Sequence, residues 1–232
     1  MPCRENQSCR AGQAGLKHHD RSAGALQDRA LTWVDMVGFY PAPEECLAAF
    51  LVASAAEVLA GVKPANLIRI LKRQLPCGRC MHSLWEQYGE ALLADSSLEA
   101  LPLREDQDGV LLLLYRPELL EVRLKGRTMR AFLRRRGYPD PQTIEGTLEH
   151  LQRSFLSADS PDEVGVFLGY PVKDVNGFMA RRKGAWEGRC LWRIYGPPGR
   201  SLKLYQWYCR ERRAVTEKLI SGYLPQDLLC AA

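Results

Sequence analysis

The patterning of this chain predicts a mostly helical α+β fold around a small antiparallel sheet. Apolar residues recur at 3.6-residue spacing along much of the chain from Pro43 onward. The stretch "LEALPLREDQDGVLLLLYRP" places a turn, Asp106-Gln107-Asp108-Gly109, between two apolar runs, which is a hairpin signal. "CLWRIYG", residues 190–196, has strand composition and is expected to extend the hairpin's sheet.

The elements follow in order. Residues 1–37 carry Gly, Ser, Gln and both charges without apolar periodicity, and read as a disordered extension before a single domain over 38–232. Cys3, Cys9, His18 and His19 lie in that extension, at spacings that match no common zinc module. From Pro43, Leu47, Phe50, Leu51, Ala55, Val58, Leu59 and Val62 share one helical face. Pro64 suits the first turn of another helix, carrying Leu67, Ile70, Leu71 and Leu75 up to Pro76. A third helix buries Leu84, Trp85, Tyr88 and Leu92. After the hairpin come a basic helical region ending in "FLRRRGYP" and a helix with Leu148, Leu151 and Phe155 inward. A last helix runs from about Leu202 to Ile220, burying Tyr205, Tyr208, Val215 and Leu219. "GYP" occurs twice, and each time Gly can end a helix in the left-handed conformation while Pro prevents it from resuming.

Composition bounds the function classes. The 232 residues are 46% hydrophobic and 25% charged, ordinary for a soluble globular protein, with a formal net charge of +5. That charge permits an acidic partner without requiring one. No run approaches the roughly 18 apolar residues of a membrane span, and the N-terminus lacks a secretory apolar core, so the expected location is cytoplasmic and no membrane partner is expected. Eight cysteines in a reducing compartment are expected to be thiols.

Three candidate chemistries emerge. "PCGRCMH" offers Cys77, Cys80 and His82 as metal ligands, or the two thiols as a redox pair at a helix N-terminus. The motif lacks the second Cys-x-x-Cys of a zinc ribbon, and structural thiols are the plainer reading. "EVGVFLGYPVKDVNGFMARRKG", residues 163–184, has the outline of a helix-turn-helix, with Lys173, Asn176, Arg181, Arg182 and Lys183 as candidate nucleic-acid contacts. Against that reading, residues 138–176 hold two basic and seven acidic side chains, and the basic residues gather after the position of a reader helix. Neither a nucleophile–base set nor a phosphate-binding glycine loop is legible, so the sequence assigns neither a reaction nor a cofactor.

Three blocks carry a resemblance to an uncharacterised bacterial family, domain of unknown function 3793, found largely in anaerobic Firmicutes: "LAGVKPANLI", "EVGVFLGYPVKDVNGFM" and "LWRIYG". The likeness extends over about residues 40–220 and implies, weakly, a link to iron or redox physiology. The chain departs from the family pattern at two places. Ala55-Ala56-Glu57 stands where the family has Cys-Ala-Pro, and Asp162 stands where it commonly has His. Within the matched blocks, Lys63 at an expected helix start, with Asn66 beside it, is a candidate anion contact. Glu163, Tyr170, Trp192, Arg193 and Tyr195 are candidates to line the same cleft around a flat ligand. Taken singly, each is as readily a core aromatic or a surface charge. The functional expectation is a protein that binds a small ligand or a protein partner, with nucleic-acid binding and thiol or metal chemistry as alternatives.

Overall fold

The computed structural model describes residues 38–75, 77–138, 143–157, 160–181, 183–184 and 190–231. The expected extension over 1–37, the tail cysteines and histidines, and Arg182 lie outside the described residues. Among those described, ten helices surround one three-stranded antiparallel sheet. In chain order they are α1 (Pro43–Ser54), α2 (Ala56–Leu59), β1 (Ala65–Leu71), α3 (Met81–Ala94), β2 (Glu99–Asp106), β3 (Gly109–Tyr115), α4 (Pro117–Lys125), α5 (Arg127–Arg134), α6 (Ile144–Ser157), α7 (Val164–Phe167), α8 (Val172–Met179), α9 (Gly199–Ile220) and α10 (Pro225–Cys230).

The sheet order is β1-β3-β2, so the apolar run of β3 is the central strand. Leu112, Leu113 and Leu114 are all fully buried, which means both faces of β3 are covered. Leu113 and Tyr115 belong to a core that also takes Leu120 and Leu124 from α4, Phe132 and Leu133 from α5, Leu151 and Phe155 from α6, and Phe167 from α7. β2 is an edge strand, which tolerates Pro102, and its register shifts between Pro102 and Arg104.

Three elements differ from the sequence expectation. The helical face expected from Leu47 to Val62 breaks at Ala55 into α1 and α2 and stops at Leu59. The segment after Pro64 is a strand, not a helix: β1 pairs antiparallel with β3 from Ala65↔Tyr115 to Leu71↔Gly109. Asn66, Ile68 and Ile70 alternate inward with period two, and β3 needs a partner on its second edge, so tertiary pairing overrides the helical spacing of the leucines. "CLWRIYG" conversely adds no strand. The Tyr195 N–H, which a ladder would use, donates instead to Asp174 Oδ1 at 2.9 Å.

The long final helix forms as expected, beginning at Gly199. The glycines of both Gly-Tyr-Pro stops take positive φ, 79° at Gly137 and 83° at Gly169. The segment 163–179 folds as a single helical turn, α7, followed by the two-turn α8.

Candidate functional site

β1 starts beside α2, and a buried polar network forms at that junction. Glu57 on α2 is fully buried, and its Oε1 accepts a hydrogen bond from Arg212 on α9. Its Oε2 accepts from Asn66 Nδ2 at 3.2 Å, and the same amide nitrogen donates to the Ser54 carbonyl at 2.8 Å. Asn66 Oδ1 accepts from the Lys63 amine. Lys63 is only 3% exposed, and its Nζ lies 5.5 Å from the Tyr170 ring centroid and 5.6 Å from that of Tyr208. Two ring faces and one amide thus surround a cation withdrawn from water.

Burial pulls the Lys63 pKa down to about 8, with Arg212 adding to the shift and Glu57 opposing it. Both tyrosines move the other way, pushed up to about 12, chiefly by burial. They therefore remain neutral phenols around the amine across the physiological range. Gly169 lets this arrangement close, because a Cβ there would stand 2.6 Å from the Tyr208 hydroxyl oxygen and 2.9 Å from Pro64 Cδ.

A second polar hub sits on α8. The Asp174 side chain accepts from Lys173 Nζ at 2.7 Å, the Tyr195 N–H at 2.9 Å, Trp192 Nε1 at 2.9 Å and Ser201 Oγ at 2.6 Å. Burial raises its pKa, but these donors outweigh it and hold the carboxyl below the ordinary aspartate value. The hub ties residues 192–195 to α8 and to the first turn of α9. Gly177 completes the fit, since a Cβ there would collide with the Tyr195 ring.

The two clusters meet at Tyr170, whose ring stacks on Trp192 with centroids 4.5 Å apart. Trp192 is fixed from its edge by Asp174 and meets Tyr205 and Tyr208 edge-on. Beside this stack opens a cavity of about 400 Å³. Its apolar wall includes Val164, Leu168, Val175, Phe178 and Leu191, and its polar residues include Ser160, Asp162 and Arg193.

The seven ligand-binding candidates therefore separate. Tyr170, Trp192 and Arg193 line the cavity. Lys63 and Asn66 form the layer behind Tyr170. Tyr195 is a buried packing residue under Gly177, and Glu163 accepts a hydrogen bond from the Tyr138 hydroxyl at 3.2 Å. Three residues central to the network, Glu57, Tyr208 and Arg212, are missing from the sequence candidates. Glu57 stands in the apolar stretch Ala55-Ala56-Glu57-Val58-Leu59, where a lone carboxylate is itself a signal.

The other two candidate sets are also on the page. Cys77 is exposed, and Cys80 is half-buried just before α3. Burial raises the Cys80 pKa, yet hydrogen bonds from Ser83 and the His82 N–H prevail and leave it below the ordinary thiol value. His82 turns from the thiols towards carboxylates, with Nδ1 3.2 Å from Glu86 and Nε2 3.6 Å from Glu105. Among the described residues no three His, Cys, Asp or Glu side chains are placed to share a metal ion. On α8, Lys173 and Asn176 are exposed, while Asp174 between them is bound within the protein. Arg181 and Lys183 lie exposed beyond the helix, and no described helix is long and apolar enough to cross a membrane.

Fold and site together define a helix-rich α+β protein in which a buried lysine network backs an aromatic-walled cavity. The chain belongs to the family described as protein of unknown function (DUF3793), whose model matches residues 51–229. No curated protein and no solved structure gives a match.

Proposed function

We propose that this protein binds a small, planar ligand in the cavity beside Tyr170 and Trp192. The observation that carries the reading is the convergence of the three sequence blocks on one stack. Lys63 and Asn66 come from the first, Tyr170 from the second, and Trp192 and Arg193 from the third. The volume, about 400 Å³, falls within the range of small-molecule sites. The composition suits the same use: apolar and aromatic walls for a flat body, and few polar groups to orient it. Arg193 is exposed and, among the described residues, bonded to no carboxylate, so it is available to an anionic group on the ligand. Asp162 and Ser160 would accept from a donor on the same molecule.

On this reading the protein is an accessory binder. The family resemblance's link to iron or redox physiology would make a coloured redox ligand one occupant of interest. An absorption spectrum of protein purified without oxygen would reveal it. The direct test is thermal denaturation against a panel of planar aromatic carboxylates and sulfonates. At least one compound should raise the Tm of the wild-type chain and leave Arg193→Glu unmoved. A panel that shifts neither protein at millimolar concentration, or shifts both equally, counts against the cavity as a ligand site.

A further inference from the structure

Residues 122–138 hold seven Arg or Lys side chains and no Asp or Glu, against a net charge of only +5 for the whole chain. Arg123 is turned inward and donates to the Val166 and Tyr170 carbonyls, and the structure displays part of the remaining charge. α5 turns Met129, Phe132 and Leu133 into the core, at 4%, 4% and 0% exposure. Arg127 and Arg134, at i and i+7, lie on the opposite side, with the half-buried Arg130 between them. Arg127, Arg134, Arg135 and Arg136 are exposed, and Arg136 lies over the Phe132 ring at 5.5 Å. Lys125 has a partner, Glu121, at 2.6 Å. Among the described residues no carboxylate pairs with Arg127, Arg134, Arg135 or Arg136.

We infer that this face of α5 and the turn after it is a contact surface for the phosphate backbone of a nucleic acid. Four neighbouring exposed arginines without a carboxylate partner cost self-repulsion unless a polyanion neutralises it. Arginine in place of lysine suits phosphate, because its planar fork donates two hydrogen bonds at once. Arg127 and Arg134 lie two turns apart, about 10 Å along the axis, so one rigid helix presents them to separate phosphates. A lipid surface is the less fitting partner. Membrane-lying helices insert an apolar face, and the apolar face of α5 is already spent on the protein core. The surface reads charge and spacing rather than base identity, since arginine contacts to phosphate carry no sequence information. It neighbours α8, which packs against α5 and whose Asp174 is bound internally.

The test uses the full chain and fluorescence anisotropy with a labelled DNA duplex and an RNA duplex of the same sequence. Binding should weaken with salt at a log–log slope of about −3 or steeper, near −0.9 per phosphate neutralised. The variant Arg127→Glu/Arg134→Glu/Arg135→Glu should bind roughly a hundredfold more weakly at low salt. Arg181→Glu/Lys183→Glu should bind as the wild type does. The relative affinity for the two duplexes tells which nucleic acid is preferred. If the triple variant melts early, the single Arg135→Glu change, on an exposed side chain, should still reduce affinity several-fold. Absence of binding by the wild type at low salt overturns the inference. So does a loss that follows Arg181 and Lys183 instead, or binding confined to anionic lipid vesicles.

Discussion

β1 carries an ionic cluster at each end, and the two could hardly be treated more differently by the fold. At its start, Lys63, Asn66, Glu57 and Arg212 form a network in which three of the four are buried. At its finish, Arg69 pairs with Asp106 and Lys72 pairs with Glu105 at 2.6 Å, all of them open to water. Residue types and bond counts are similar. What differs is the medium, and with it the consequence of losing a partner. In water a stranded charge is rehydrated, whereas at the buried end it has nowhere to go. The buried cluster is therefore under constraint, and it is the one placed behind the cavity wall.

The largest expected effect comes from emptying the centre of the buried network. Glu57→Ala leaves Lys63 and Arg212 without the carboxylate between them and should cost about 3–5 kcal/mol, read from the urea midpoint. A loss near zero would mean that the network is solvated and the contrast with the exposed end is false. Next in size is Gly169→Ala. Its methyl group would meet the Tyr208 hydroxyl at a backbone φ of 83°, and about 1–3 kcal/mol should be lost.

The pH dependence sharpens the comparison. Because Lys63 has a folded pKa near 8 and the unfolded value is the ordinary one of 10.5, the unfolded chain holds more protons between those limits. This group's contribution to stability therefore increases as pH rises from about 8 to about 10.5, and Lys63→Met should flatten that part of the profile relative to the wild type. At the exposed end, Arg69 holds the Asp106 pKa down to about 2 by hydrogen bonding, but both side chains meet water. Arg69→Ala should leave the urea midpoint nearly unchanged. The same exposed end bears Cys80, whose Sγ faces the Leu71 carbonyl at 3.9 Å. It should be alkylated by iodoacetamide well before Cys46, which is fully buried with its pKa raised mainly by that burial. Equal rates would remove the case for Cys80 as the reactive thiol.

Local signals accounted for much of this architecture. The hairpin was legible because a turn of Asp and Gly separates its strands, and α1, α3, α6 and α9 because their apolar spacing is helical. β1 was not, since four apolar residues between two prolines fit a helix as well as a strand, and only the vacant edge of β3 decides. The error at 190–196 has the same origin: in this strand-like segment the Tyr195 backbone N–H and the Trp192 indole N–H are claimed by Asp174, 21 and 18 positions away in the chain. For the site, the aromatic and basic residues inside the matched blocks could be nominated. Glu57 and Arg212 could not be paired, because they stand 155 residues apart and only the docking of α9 against α2 joins them.

The most direct test of the cavity is a fluorescence titration of the wild-type chain with 8-anilinonaphthalene-1-sulfonate, a probe with a flat naphthalene ring, one anion and one N–H donor. The account predicts saturable binding of one equivalent to the folded protein, and at least roughly tenfold weaker binding by Arg193→Glu, whose Tm should be unchanged. Binding of equal strength to both proteins, or none to the folded wild type, would contradict it.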